Sequence, residues 1–138
     1  MSAVHLVETS VFTRLHRSAV RSRLDLLPGE SLARCSMTDL ELGHSARNER
    51  EWDVVQAMLA EFEEVAISDA VIERAKVVQR TLAAGGLRGR KVPDLLIAAA
   101  AELHGLAVIH YDYDRDFEII AGITGQVHDW VVPPGSID

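Results

Sequence analysis

The chain has 138 residues, 48% hydrophobic, 25% charged and 5% aromatic, the size and make-up of one compact α/β-sized domain spanning residues 1–138. A single cysteine, Cys35, excludes an internal disulfide framework, no apolar run approaches the ~18 to 20 residues of a membrane span, and the first ten residues lack a secretory leader's basic-then-apolar pattern, so a cytoplasmic location is expected. Net charge is −7, which argues against simple electrostatic wrapping of nucleic acid, yet seven of the 14 Lys and Arg residues fall in two stretches: Arg14, Arg17, Arg21 and Arg23, then Arg88, Arg90 and Lys91.

Residues 4–7 form a short apolar run followed by the helix-starting residues Thr9 and Ser10, then Val11, Phe12 and Leu15 at helical spacing. Strand then helix is predicted, with a second helix running to Leu27 and stopping at Pro28-Gly29. Residues 32–37 read as the next strand, and Thr38 as the start of the next helix. Trp52, Val55, Leu59 and Phe62 form an apolar stripe on a helix over 51–62; residues 65–67 are a further apolar run; Ser68 caps a helix with stripe Val71, Ala75, Val78 and Leu82. Gly85 and Gly86 end it, 87–91 is a polar loop, and Pro93 sits where a first helical turn tolerates it, ahead of helix 95–103. Residues 106–110 read as a buried strand, and 127–132 as the last one.

Alternating strands and helices predict βαβ units, hence a three-layer α/β/α domain around a mostly parallel central sheet. Ligands in such folds sit beyond the carboxyl ends of the strands. Acidic residues recur at those places: Glu8 after the first run, Glu41 after the second, Asp94 in a later helix's first turn, and Asp112, Asp114 and Asp116 after the fourth run. Each has a structural explanation of its own. Thr38-Asp39-Leu40-Glu41 matches a capping box, Asp94 complements a helix dipole, and Glu8 can cap the first helix. Gathered at one sheet edge, however, carboxylates repel unless cations neutralise them, and Mg²⁺ or Mn²⁺ suits an all-carboxylate set. Cys35 lies inside an apolar strand and reads as a buried thiol rather than a nucleophile, and the 85–91 segment lacks phosphate-loop spacing.

Val7-Glu8-Thr9-Ser10-Val11-Phe12, Thr38-x-x-Glu41-Leu42, Pro93-Asp94-Leu95-Leu96-Ile97-Ala98-Ala99 and His110-Tyr111-Asp112 followed by Asp116-Phe117-Glu118 together resemble a PIN-domain ribonuclease, specifically a VapC-type toxin of a VapBC toxin–antitoxin pair. The resemblance spans nearly the whole chain and includes the closing Thr124-Gly125-Gln126 and Trp130 to Pro133. It implies divalent-metal-dependent endoribonuclease activity, with catalytic Glu8, Glu41, Asp94 and Asp112, and a metal set drawn from Glu8, Asp94, Asp112, Asp114 and Asp116. It also implies Mg²⁺ or Mn²⁺ as cofactor, a VapB-type antitoxin as partner, an RNA substrate and a homodimer. Ser10 and Thr9 would position phosphate or water, and Arg14, Arg17 and Arg21, read as one helical face, would meet RNA or antitoxin. One position departs from the pattern: the family's first carboxylate is an Asp in Asp-Thr-Ser, and this chain has Glu8. The extra methylene moves the oxygens by roughly an ångström, a misplacement that can cost ~10²-fold in rate, so attenuation is the expected consequence. The alternative is a catalytically inactive PIN-like protein-interaction module.

Overall fold

The computed structural model describes residues 4–28 and 31–138. Five strands and seven helices follow in the order β1 (His5–Val7), α1 (Thr9–Phe12), α2 (Ser18–Asp25), β2 (Leu32–Cys35), α3 (Ser36–Gly43), α4 (Glu49–Leu59), β3 (Glu63–Val65), α5 (Asp69–Ala84), α6 (Val92–Leu103), β4 (Ala107–His110), α7 (Asp116–Thr124) and β5 (His128–Trp130). The strands form one sheet in the order β3-β2-β1-β4-β5, every pairing parallel, with Leu6 opposite both Ala33 and Val108. Helices cover both faces, as the alternation of strand and helix predicts.

Two-sided burial explains why the strands read as continuous apolar runs rather than alternating ones. Successive residues point to opposite faces, so Leu6 and Val108 pack with α5, α6 and α7, while Val7 and Ile109 pack with α1, α2 and Leu59. Each fully buried aliphatic of this kind stabilises the fold by about 1.5–3 kcal/mol. Helix α6 is wedged into the first layer, which is why Leu95, Ile97 and four consecutive alanines, Ala98 to Ala101, are buried. Among the described residues no helix is long and apolar enough to cross a membrane.

Several boundaries differ from the sequence reading. The third strand is Glu63–Val65 rather than 65–67, because its register is set by Cys35 opposite Val65. β2 stops at Cys35 and α3 begins at Ser36, two residues before Thr38, so Thr38 lies buried inside the helix and no capping box forms there. Between α1 and α2 the chain turns at residues 13–17: Arg14 lies in the turn, Arg17 is the α2 N-cap and Arg21 lies within α2, so the three do not share one helical face. α2 ends at Asp25, and Gly29 of the expected stop lies outside the described residues. On α4, Leu59 is buried but Trp52 is 46% exposed, its indole lying over Gly43, where a Cβ would meet Nε1 at 2.8 Å.

Candidate active site

The parallel order 3-2-1-4-5 places β1 and β4 side by side at the point where strand order reverses, and the first residues beyond their carboxyl ends are Glu8 and the segment Tyr111-Asp112. Glu8 is the α1 N-cap: its Oε1 accepts the Ser10 backbone N–H at 3.1 Å and also the Ser10 hydroxyl. Ser10 Oγ in turn accepts the Tyr111 N–H at 2.8 Å, tying the exit of β4 to the carboxylate that follows β1. The hydroxyl's single hydrogen is therefore committed to Glu8.

Asp112 is fixed by the backbone behind it. Its Oδ1 accepts the Asp114 N–H at 3.1 Å and its Oδ2 the Asp116 N–H at 2.8 Å. The second bond closes because Arg115 adopts a left-handed conformation, φ 59° and ψ 25°, and turns the chain back on itself. That turn separates two carboxylates the sequence treats alike. Asp116 is brought into the site, 2% exposed, whereas Asp114 is exposed and paired with Lys91, whose ammonium holds its carboxyl below the ordinary range.

Carboxylate oxygens of Asp94, Asp112 and Asp116 lie within 4.8 Å of one another, and all three residues are buried. Asp94 arrives from the first turn of α6, set by Pro93 ahead of it. Burial is the main force raising its proton affinity, reinforced by a hydrogen bond with the Asp116 carboxyl and by repulsion from Glu8 and Asp112. Glu8 is pushed up to about 7, again chiefly by burial, against the opposing bonds from Ser10. Burial also raises Asp112. The neutralising groups are few: Arg90 pairs with Asp116 at 3.0 Å, and the Lys91 N–H reaches the same carboxylate at 3.4 Å. A buried, all-oxygen carboxylate set is the donor chemistry of a hard divalent cation.

Glu41, expected as a catalytic carboxylate by resemblance and as a capping-box partner by spacing, closes no capping box and accepts the Thr9 hydroxyl at 2.6 Å across elements. Thr9 has one hydrogen, so the 2.9 Å contact between Thr9 and Thr38 has Thr38 as donor, giving a relay Thr38 to Thr9 to Glu41. Sequence reasoning missed Arg90 as the Asp116 partner, although the Arg88-x-Arg90-Lys91 stretch was its signal. Arg14 and Arg17 pair with Asp138 at 3.0 and 3.4 Å, the Arg14 guanidinium lying 4.9 Å over the Tyr111 ring, and Arg21 binds the Leu15 carbonyl at 2.7 Å.

His110 is buried beside the site, stacked on Phe117 and His128. Its Nδ1 accepts the Asp112 N–H at 3.1 Å, so its proton lies on Nε2, facing His128 Nδ1 at 3.0 Å, and burial lowers its pKa to about 4. Cys35 is fully buried and its thiol is pushed up to about 11 by burial, an inert core group as expected.

Against known proteins, the family described as PIN domain matches residues 5–123. Ribonuclease VapC51 of Mycobacterium tuberculosis is 49% identical over 139 residues, covering 100% of both chains, and Ribonuclease VapC21 of the same species is 44% identical over 99% of each. Among solved structures, DNA-bound VapBC from Salmonella typhimurium superposes with a TM-score of 0.79 at 23% identity, over 94% of this chain and 99% of that one. A toxin–antitoxin complex from Klebsiella pneumoniae gives 0.70 at 26% identity, over 89% and 95%.

Proposed function

This chain belongs to the PIN domain family and, within it, to the VapC ribonucleases, and from that premise we propose that it is the toxin of a type II toxin–antitoxin pair, a Mg²⁺- or Mn²⁺-dependent endoribonuclease that cuts RNA phosphodiester bonds. It works in the cytoplasm as a homodimer and is held inactive by a VapB-type antitoxin. The whole chain, 1–138, is one PIN domain, since β5 beyond the matched residues completes the sheet by pairing with β4. The observation that carries this reading is the buried group of Asp94, Asp112 and Asp116, three carboxylates with Arg90 as the guanidinium bonded to them.

Asp94, Asp112 and Asp116 would hold the cation, with Glu8 and Glu41 beside them, and a bound ion of this kind neutralises phosphate charge and activates water for in-line attack. The chain's own residues supply position. Two backbone N–H groups orient Asp112, Arg90 orients Asp116, Thr9 orients Glu41, and Ser10 holds Glu8 Oε1, leaving Oε2 as the oxygen open to a proton or a cation. With a pKa near neutrality, Glu8 takes up or gives up a proton there around pH 7. Glu8 in place of Asp attenuates the site, because its extra methylene shifts the carboxylate oxygens by roughly an ångström from where an Asp would hold them. Asp114, held outward by Lys91, stands outside the set.

Cleavage of an RNA pool in Mn²⁺ by this chain, Glu8→Asp and Asp94→Asn tests the reading. The expected ranking is Glu8→Asp above the parent chain, with Asp94→Asn and EDTA-treated protein inactive. Folded parent and Glu8→Asp proteins that both leave every RNA intact would instead support the inactive interaction module.

A further inference from the structure

Four basic side chains, of which Arg90 is bonded to the acidic group, converge on a cavity of about 470 Å³ between α5 and the loop preceding α6. Lys76 and Arg80 stand one turn apart on α5, Arg88 and Arg90 project from the loop, and the buried side chains of Leu82 and Leu95 line its apolar base. The loop is shaped by Gly86 and Gly89, at φ +76° and +91°, conformations that strain any residue with a Cβ.

Placing four cations around one cavity in a chain of net charge −7 costs mutual repulsion, and acids to quench it are abundant elsewhere in the sequence. Few are used here. Among the described residues Arg80 and Arg88 have no ion pair, Lys76 has one exposed contact to Glu73 at 3.5 Å, and the buried Arg90 Nε has no hydrogen-bond partner. Arg90 also joins the two regions, since the side chain that lines this cavity is the one bonded to Asp116. Guanidinium forks match phosphate oxygens in pairs, and an apolar base beneath them accommodates a sugar or base face, a combination that fits a nucleotide unit better than an acidic peptide.

We propose that this cavity is a phosphate-backbone subsite that grips the RNA strand to one side of the bond being cut, with Lys76, Arg80 and Arg88 holding phosphates and Arg90 as the joint to the acidic group. The inference rests on the ribonuclease reading above and adds where the substrate lies. It separates two jobs by charge: the acidic group handles one phosphate, and the basic cavity holds its neighbours.

The test is a fluorescein-labelled single-stranded RNA titrated with the full chain in EDTA across a salt series, alongside KM and kcat for the same RNA in Mn²⁺. Arg80→Gln with Arg88→Gln should weaken binding about tenfold at low salt, lower the slope of log affinity on log salt by about 0.7 per cation removed, and raise KM with kcat little changed. Arg88→Lys should retain the slope. Both side chains are exposed, and an unchanged melting temperature establishes that the double variant is folded. If RNA is cut by the parent and the double variant matches it in KM and salt slope, the subsite is refuted while the ribonuclease reading stands. If the parent neither binds nor cuts RNA, both fall together. Loss of a labelled oligoglutamate peptide with RNA affinity intact would assign the cavity to an acidic protein segment and overturn the proposal.

Discussion

Two ionic groups, one around the buried Arg34 and one around the buried Asp94, are built on opposite principles. Around Arg34 on β2, the guanidinium binds Asp39 at 2.8 Å, the Phe62 carbonyl at 2.6 Å and Glu64 at 3.3 Å, so each charge has a partner inside the chain. Around Asp94, three carboxylates crowd within 4.8 Å, Glu8 adds a fourth, and Arg90 is the guanidinium bonded among them. The first group is closed and holds an edge of the sheet to α3; the second gathers more carboxylates than cations, which is why Asp94 and Glu8 hold their protons more tightly than usual. Burial alone does not distinguish a structural ion pair from a working site. The balance of charge within the buried set does.

The comparison predicts opposite outcomes for similar substitutions. Asp94→Asn should lower RNA cleavage by about 10³-fold, since a direct ligand is worth more than the 10- to 100-fold of an outer partner, and yet leave the melting temperature in EDTA at pH 7 little changed, because the raised proton affinity of Asp94 keeps it neutral there already. A lower melting temperature would mean the cluster is balanced after all. Arg34→Met should do the reverse, costing about 1–2 kcal/mol in urea unfolding because the half-buried Asp39 loses its charged partner and the Phe62 carbonyl its donor, while cleavage per folded molecule is retained.

Titration sharpens the contrast. In EDTA, Glu8 binds its proton more tightly folded than unfolded, about 7 against 4.5, so its contribution to stability is full below pH 4.5 and is lost as pH rises through 7; Asp94 acts in the same sense. His110 is depressed to about 4 from 6.5, so its contribution is full above pH 6.5 and is lost as pH falls through 4. The Glu8 and His110 contributions are each on the order of 3 kcal/mol. Urea midpoints across pH 4 to 8 should therefore fall less steeply at the alkaline end in Glu8→Gln than in the parent, and a profile identical to the parent's would remove Glu8 from the group. The smallest effect is expected from Thr9→Val, which strands the buried Thr38 hydroxyl and frees Glu41: about 1–2 kcal/mol of stability and a few-fold in cleavage.

Much of this architecture is legible in residue order. Apolar runs at 4–7, 32–37 and 106–110 mark three strands because both faces of the sheet are covered, and the acids following them mark the site because strand ends converge at the order reversal. What the sequence withholds depends on turns and on distant partners. Asp114 and Asp116 are equivalent as letters; only the left-handed Arg115 sends one inward and the other to Lys91. Thr38 and Glu41 have capping-box spacing, but the helix had already begun at Ser36, and Glu41's partner lies 32 residues away. The helix at Asp116–Thr124 went unread because its short apolar pattern follows a run of aspartates that reads as a turn. The two basic stretches could be noticed but not assigned, since Lys76 and Arg80 join the second one only through the packing of α5 on α6.

The central claim is that the carboxylate group around Asp94 binds a divalent cation, and calorimetric titration of the full chain with Mn²⁺ at pH 7, in two buffers of different ionisation enthalpy, tests it most directly. The predicted result is saturable binding with net release of protons, as the cation displaces those held by Asp94 and Glu8, and loss of both signals in Asp94→Asn. Absence of saturable binding by folded protein, or binding undiminished in Asp94→Asn, would contradict it.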